Sequence, residues 1–94
     1  MIDEYEIFDS IIDEKTFIIF CKYLLKDKQE DSVNENNHPS SPYGPTKNGW
    51  ENITIEAFIE AAIAWAEDSD FGKTQNLNVW QKFAQFMLAG KSYE

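Results

Sequence analysis

Three stretches of this chain place apolar residues at helical spacing, and the segments between them are polar. From Asp13 to about Lys28 the positions Phe17, Phe20, Cys21, Leu24 and Lys28 follow the i, i+3, i+4, i+7 stripe of an amphipathic helix, with Lys15, Lys22 and Lys26 on the other side. Asp13 suits the N-cap. The string Phe17-Ile18-Ile19-Phe20 is β-branched enough for a buried strand, but helix formers flank it, so a helix is expected with Ile19 left on the Lys side. Ahead of it, Glu4 to Ile12 alternates loosely and suits either a short extended arm or a first helical turn.

The second stretch opens at Thr54, an N-cap with Ile53 before it and Phe58 at the fourth helical position, the spacing of a hydrophobic staple. On a helical wheel Trp65, Phe58, Ala62, Ile55, Ala66, Ile59 and Ile63 share an apolar arc of about 160°. Glu56, Glu60 and Glu67 lie together beside that arc, and Ala57, Ala61 and Ala64 form a strip of small residues. The third stretch starts at Asn78, with Gln81 three residues on in capping-box spacing, and carries Trp80, Phe83, Ala84, Met87 and Leu88. Val79 and Phe86 widen its stripe to about 200°. Gly90 suits the C′ position, with Lys91 beside it to complement the helix dipole.

These patterns predict one all-α domain over residues 1–94. Its three main helices, at about 13–28, 54–67 and 78–90, have the second and third packed on the first. Residues 29–49 hold all three prolines, four Asn, two Gly and the only His, and read as a long polar loop between the first and second helices.

Seven Phe, four Tyr and three Trp supply material for a dense core in so short a chain. The formal net charge is −9, and every basic residue is Lys. Without Arg, and with that charge, the chain is a poor match for nucleic acid, which is met by basic patches and bidentate guanidinium groups. The acids concentrate in residues 50–72, where six occur with no base. A single cysteine, Cys21, has no partner for an internal disulfide and falls at an apolar helical position. The start Met1-Ile2-Asp3-Glu4 is acidic rather than basic, and no apolar run reaches the length of a membrane span, so a cytoplasmic, non-membrane setting is expected.

Candidate chemistry is sparse. His38 stands alone before Pro39, without the neighbouring Cys, His or carboxylate spacing of a metal site. Asp68-Ser69-Asp70 with Gly72 begins like a calcium loop, but Val79 occupies the closing acidic position. The four glycines are too far apart for a phosphate cradle. Glu56 and Glu60, one turn apart, are the one pair that could act as acid and base or hold a hard cation, and a solvated strip explains them as well. No cofactor, no metal and no catalytic residue are therefore expected.

The blocks Trp50-Glu51-Asn52, Thr54-Ile55, Phe58-Ile59-Glu60-Ala61, Ala64-Trp65, Trp80 with Phe83-Ala84, and the terminal Tyr93-Glu94 resemble a small bacterial family of unknown function. The resemblance covers about residues 50–94 and implies a compact helical protein with no established activity. Its members are similar in size to immunity proteins of polymorphic toxins. The expected function is a non-catalytic protein-binding domain, with an inhibitor of a cationic toxin as its sharpest form. Trp50, leaving the polar loop half exposed, would contact the partner together with Glu56, Glu60, Glu67, Val79 and Phe86. The alternatives are a homodimer that buries the surplus apolar surface on itself and, last, an enzyme using the paired glutamates.

Overall fold

Local signals set the helix starts. Asp13 accepts the Thr16 N–H at 2.9 Å while the Thr16 hydroxyl accepts the Asp13 N–H at 3.0 Å, a reciprocal cap that satisfies two otherwise orphaned donors. Asn78 and Gln81 do the same at 2.9 and 3.1 Å, and Thr54 accepts the Ala57 N–H at 3.1 Å. From these points the chain forms α2 (Glu14–Asn37), α4 (Val79–Ser92) and α3 (Ile55–Asp68), preceded by a short α1 (Glu4–Asp9). The computed structural model describes residues 4–38, 48–73 and 76–93, and every regular element among them is a helix. The all-α expectation holds. Pro39, Pro42 and Pro45 and the rest of residues 39–47 lie outside the described residues, as do the first three residues and Glu94.

Three expectations are corrected. The segment Gln29 to Asn37, read as loop, continues α2 for nine more residues. The inward stripe of that helix does continue, at Phe20, Leu24, Asp27 and Asp31, but its last two members are carboxylates, which a search for apolar periodicity passes over. Gly90 does not end α4 but sits inside it, and the helix runs on to Ser92 with Tyr93 as its cap. Finally, α3 does not rest mainly on α2: α4 is the helix on which α1, α2 and α3 all pack. The undecided N-terminal stretch resolves as a helix over Glu4–Asp9, with Ile7 within it and Ile11 just beyond it both buried.

Two contacts explain why α4 is central. Along one side, Phe17 of α2 meets Trp80 and Phe83 at ring separations of 5.6 and 6.2 Å, and further along Asp27 meets Lys91, so α2 and α4 run in the same direction. On another side, α3 crosses close because Gly90 has no Cβ. One built there would lie 2.8 Å from the Phe58 ring. The core proper is Ile7, Ile11, Phe20, Leu24, Trp50 and Ala84, with Phe8, Phe17, Phe58, Trp80, Met87 and Leu88 packed around it.

The Gly90 approach is testable. Gly90→Ala gains helix propensity but drives a methyl into the Phe58 ring, and overpacking of this kind should outweigh the gain, for a net destabilisation of about 1–2 kcal/mol. Urea unfolding of the two proteins measures it, and an unchanged or higher midpoint would show that the ring moves freely.

Candidate functional site

Trp50 is fixed by α2. Gly49 adopts a left-handed backbone (φ 83°) that lets the chain turn Asn48 and Trp50 onto the same helix. The Asn48 N–H donates to the Asp31 carboxylate at 2.9 Å and its side-chain amide to the Asp27 carbonyl at 2.9 Å. The indole N–H of Trp50 donates to Asp27 Oδ2 at 2.9 Å. Lys91 Nζ reaches that same oxygen at 2.9 Å and Glu4 Oε1 at 3.2 Å, so one ammonium joins α4 to α2 and α1. Lys91 and Lys28 also stand 5.5 and 5.8 Å from the indole centroid, within cation–π range. Burial alone would lower the Lys91 pKa, but the hydrogen bond to Asp27 and the charge of Glu4 more than offset it, and the net shift is upward.

Trp50 is therefore 5% exposed, a buried anchor rather than the half-exposed contact residue expected from its position after the polar segment. Its ring stacks on Phe58 at 6.3 Å, and the two rings help to floor an apolar cleft of about 300 Å³. Cys21, Leu24 and Leu25 of α2 form one wall and Ile53 and Ile55 the other, with Met87 of α4 between them. Burial pushes the Cys21 thiol up from its ordinary value, which suits a wall residue and not a nucleophile.

Beyond this cleft, all three helices carry exposed apolar side chains. Ile59 and Ile63 repeat Ile55 at one-turn intervals on the flank of α3 and are 49% and 45% exposed. On α4, Phe83 stands one turn before Met87 and is 46% exposed, with Val79 a turn earlier at 53%. On α2, Ile18 and Leu25 are half exposed, and Ile18 shares a second shallow hollow with Phe17, Lys22 and Trp80. The surplus predicted on α4 at Val79 and Phe86 is thus real at Val79, whereas Phe86 is half-buried beneath Phe71 at 5.6 Å, itself braced on Trp65 at 5.6 Å. Most of the surplus belongs to α3 instead. An arc of about 160° is wider than a single neighbouring helix covers, and that width was the signal for Ile55, Ile59 and Ile63.

The acidic residues lie where the periodicity places them. Glu56, Glu60 and Glu67 are exposed in one row on the outer side of α3, beside the isoleucine row. Asp68 leaves that row and accepts the Tyr93 hydroxyl at 2.9 Å, which pushes the phenol pKa up. Among the described residues, no group of three or more His, Cys, Asp or Glu side chains is arranged to hold a metal ion, and no helix is long and apolar enough to cross a membrane.

Over residues 13–94, from the cap of α2 to the end of the chain, the sequence matches a family described as a family of unknown function (DUF7660). The chain belongs to this family. The match takes in α2 as well as the tryptophan blocks of α3 and α4, so DUF7660 spans both walls of the cleft and its floor. No curated protein and no solved structure matches the chain.

Within this DUF7660 chain the Lys91 site can be tested by truncation and by pH. Lys91→Met strips the largely buried carboxylate of Asp27 of its counter-charge and should cost about 3 kcal/mol by chemical unfolding. Because the Lys91 pKa is raised by folding, its contribution is complete below the unfolded value and is lost as pH climbs through the folded one. The stability gap between wild type and Lys91→Met should therefore hold steady from neutral pH to about pH 10 and narrow above it. A gap that closes near neutrality would show that Lys91 is not charged in the fold.

Proposed function

We propose that this protein is a non-catalytic, cytoplasmic protein-binding domain whose contact surface is the apolar face shared by α2, α3 and α4. The observation that carries the reading is the number of exposed large apolar side chains on the three helices that border the cleft: Ile18 and Leu25, Val79 and Phe83, and Ile53, Ile55, Ile59 and Ile63. Contiguous apolar surface rimmed by charge is the usual mark of an interaction site in a small protein. Support for a non-catalytic role comes from Glu56 and Glu60, which stand exposed on the outside of α3 rather than in a cleft where burial would tune them.

The charge of the rim bears on the kind of partner. Six acids without a base in residues 50–72 favour a cationic surface next to α3, as an inhibitor of a cationic toxin would need. The other rim carries Lys15, Lys22 and Lys26, all exposed on α2, and a uniformly cationic partner would meet them with like charge. A partner of mixed charge, basic towards α3 and acidic towards α2, fits the whole face better. Trp50 is not part of this contact; it shapes the floor.

A photo-crosslinking residue at position 59, with Leu25→Asp as the control that polarises the opposite wall, tests the reading in cells. Adducts should form with a discrete protein, this chain included, and fall by about tenfold in the control while the fold is kept, since both positions are exposed. Absence of any adduct, or adducts indifferent to Leu25→Asp, would overturn it.

A further inference from the structure

The two helices that border the apolar face carry opposite charge at the same spacing. Lys22 and Lys26 lie one turn apart on the outer crest of α2, and Glu56 and Glu60 lie one turn apart on the outer crest of α3, about 6 Å along each axis. All four are exposed, and among the described residues no ion pair engages any of them. An isologous contact sets each patch of one copy against its complement on the other. If each copy lays its α3 over the α2 of its partner, Lys22 and Lys26 meet Glu56 and Glu60 twice over, and the isoleucine row of each covers the Leu25 and Cys21 wall of the other.

We infer that the partner of mixed charge is a second copy of this chain, joined through the apolar face with the α2 and α3 crests paired in this crossed sense. The inference rests on the protein-binding reading above and supplies its partner. The net charge of −9 on each copy opposes the encounter at long range, but at physiological salt that field decays within about 8 Å, whereas the crest pairs act in contact. The opposite pairing, α2 on α2 and α3 on α3, is disfavoured by like charge at both crests.

The test is a matched pair of charge reversals read by sedimentation. The wild type should associate at high micromolar concentration to twice the 10.9 kDa of the chain. Lys22→Glu with Lys26→Glu makes both crests acidic, and Glu56→Lys with Glu60→Lys makes both basic, so each variant alone should dimerise at least about tenfold more weakly. An equimolar mixture of the two restores complementary crests on both sides and should recover association. Concentration-dependent protection of Cys21, the single thiol, from alkylation would place the contact on this face. A monomeric wild type, reversals that associate as well as wild type, or a mixture that fails to recover would each overturn the inference. If the wild type is monomeric while the residue at position 59 still captures a different protein, self-association falls and the binding reading stands.

Discussion

The carboxylate of Asp27 accepts, on one oxygen, the indole N–H of Trp50 and the ammonium of Lys91, and the placing of the helices around the cleft depends on that meeting. It joins α2, the segment that leads into α3, and the last turn of α4, and through Glu4 it reaches α1. Such a cluster is stable only when complete, because an incomplete one leaves a charge in a low-dielectric interior. Here Lys91 is flanked by two carboxylates and an aromatic face. Its aliphatic stem and its charge are both used, which is how a lysine comes to be 8% exposed.

Around that cluster the molecule is organised by what α4 lacks as much as by what it carries. Gly90 lets the Phe58 ring approach the helix backbone, and the same segment of chain is held by hydrogen bonds from the Asn52 amide to the Gly90 and Tyr93 carbonyls at 3.1 and 2.9 Å. The Glu51 N–H donates to the Lys91 carbonyl at 3.0 Å. The Trp50-Glu51-Asn52 run thus occupies the carbonyls at the end of α4, groups that a helix terminus otherwise leaves unpaired. With α2 held on one side of α4 and α3 crossing another, no helix among the described residues lies over the surface between them, and the cleft is the consequence.

Helix starts and helix type were legible in the sequence because they are local: a capping side chain and its acceptor lie three residues apart, as at Asp13, Thr54 and Asn78. The second half of α2 was not legible, because Asp27 and Asp31 face inward only by virtue of Trp50, Asn48 and Lys91, up to 64 residues away. Trp50 was misplaced for the same reason. A tryptophan after a polar, proline-containing segment looks accessible until the carboxylate that binds its N–H is known. On α3 the error was one of assignment. The width of the apolar arc was read correctly, but sequence alone does not say which edge of an arc the neighbouring helix covers, and α4 covers the Ala61 and Ala62 side and leaves the isoleucines out.

The polar cluster and the apolar face are therefore one arrangement. On the proposed reading the face would gain from being formed in advance, since ordering loops and side chains on association subtracts from affinity. The floor of the cleft is made of Trp50 and Phe58, the first clamped by Asp27 and Lys91 and the second seated on Gly90. The clamp that seats Trp50 and the close approach that seats Phe58 thus shape the floor beside which Ile55, Ile59, Ile63 and Leu25 remain exposed.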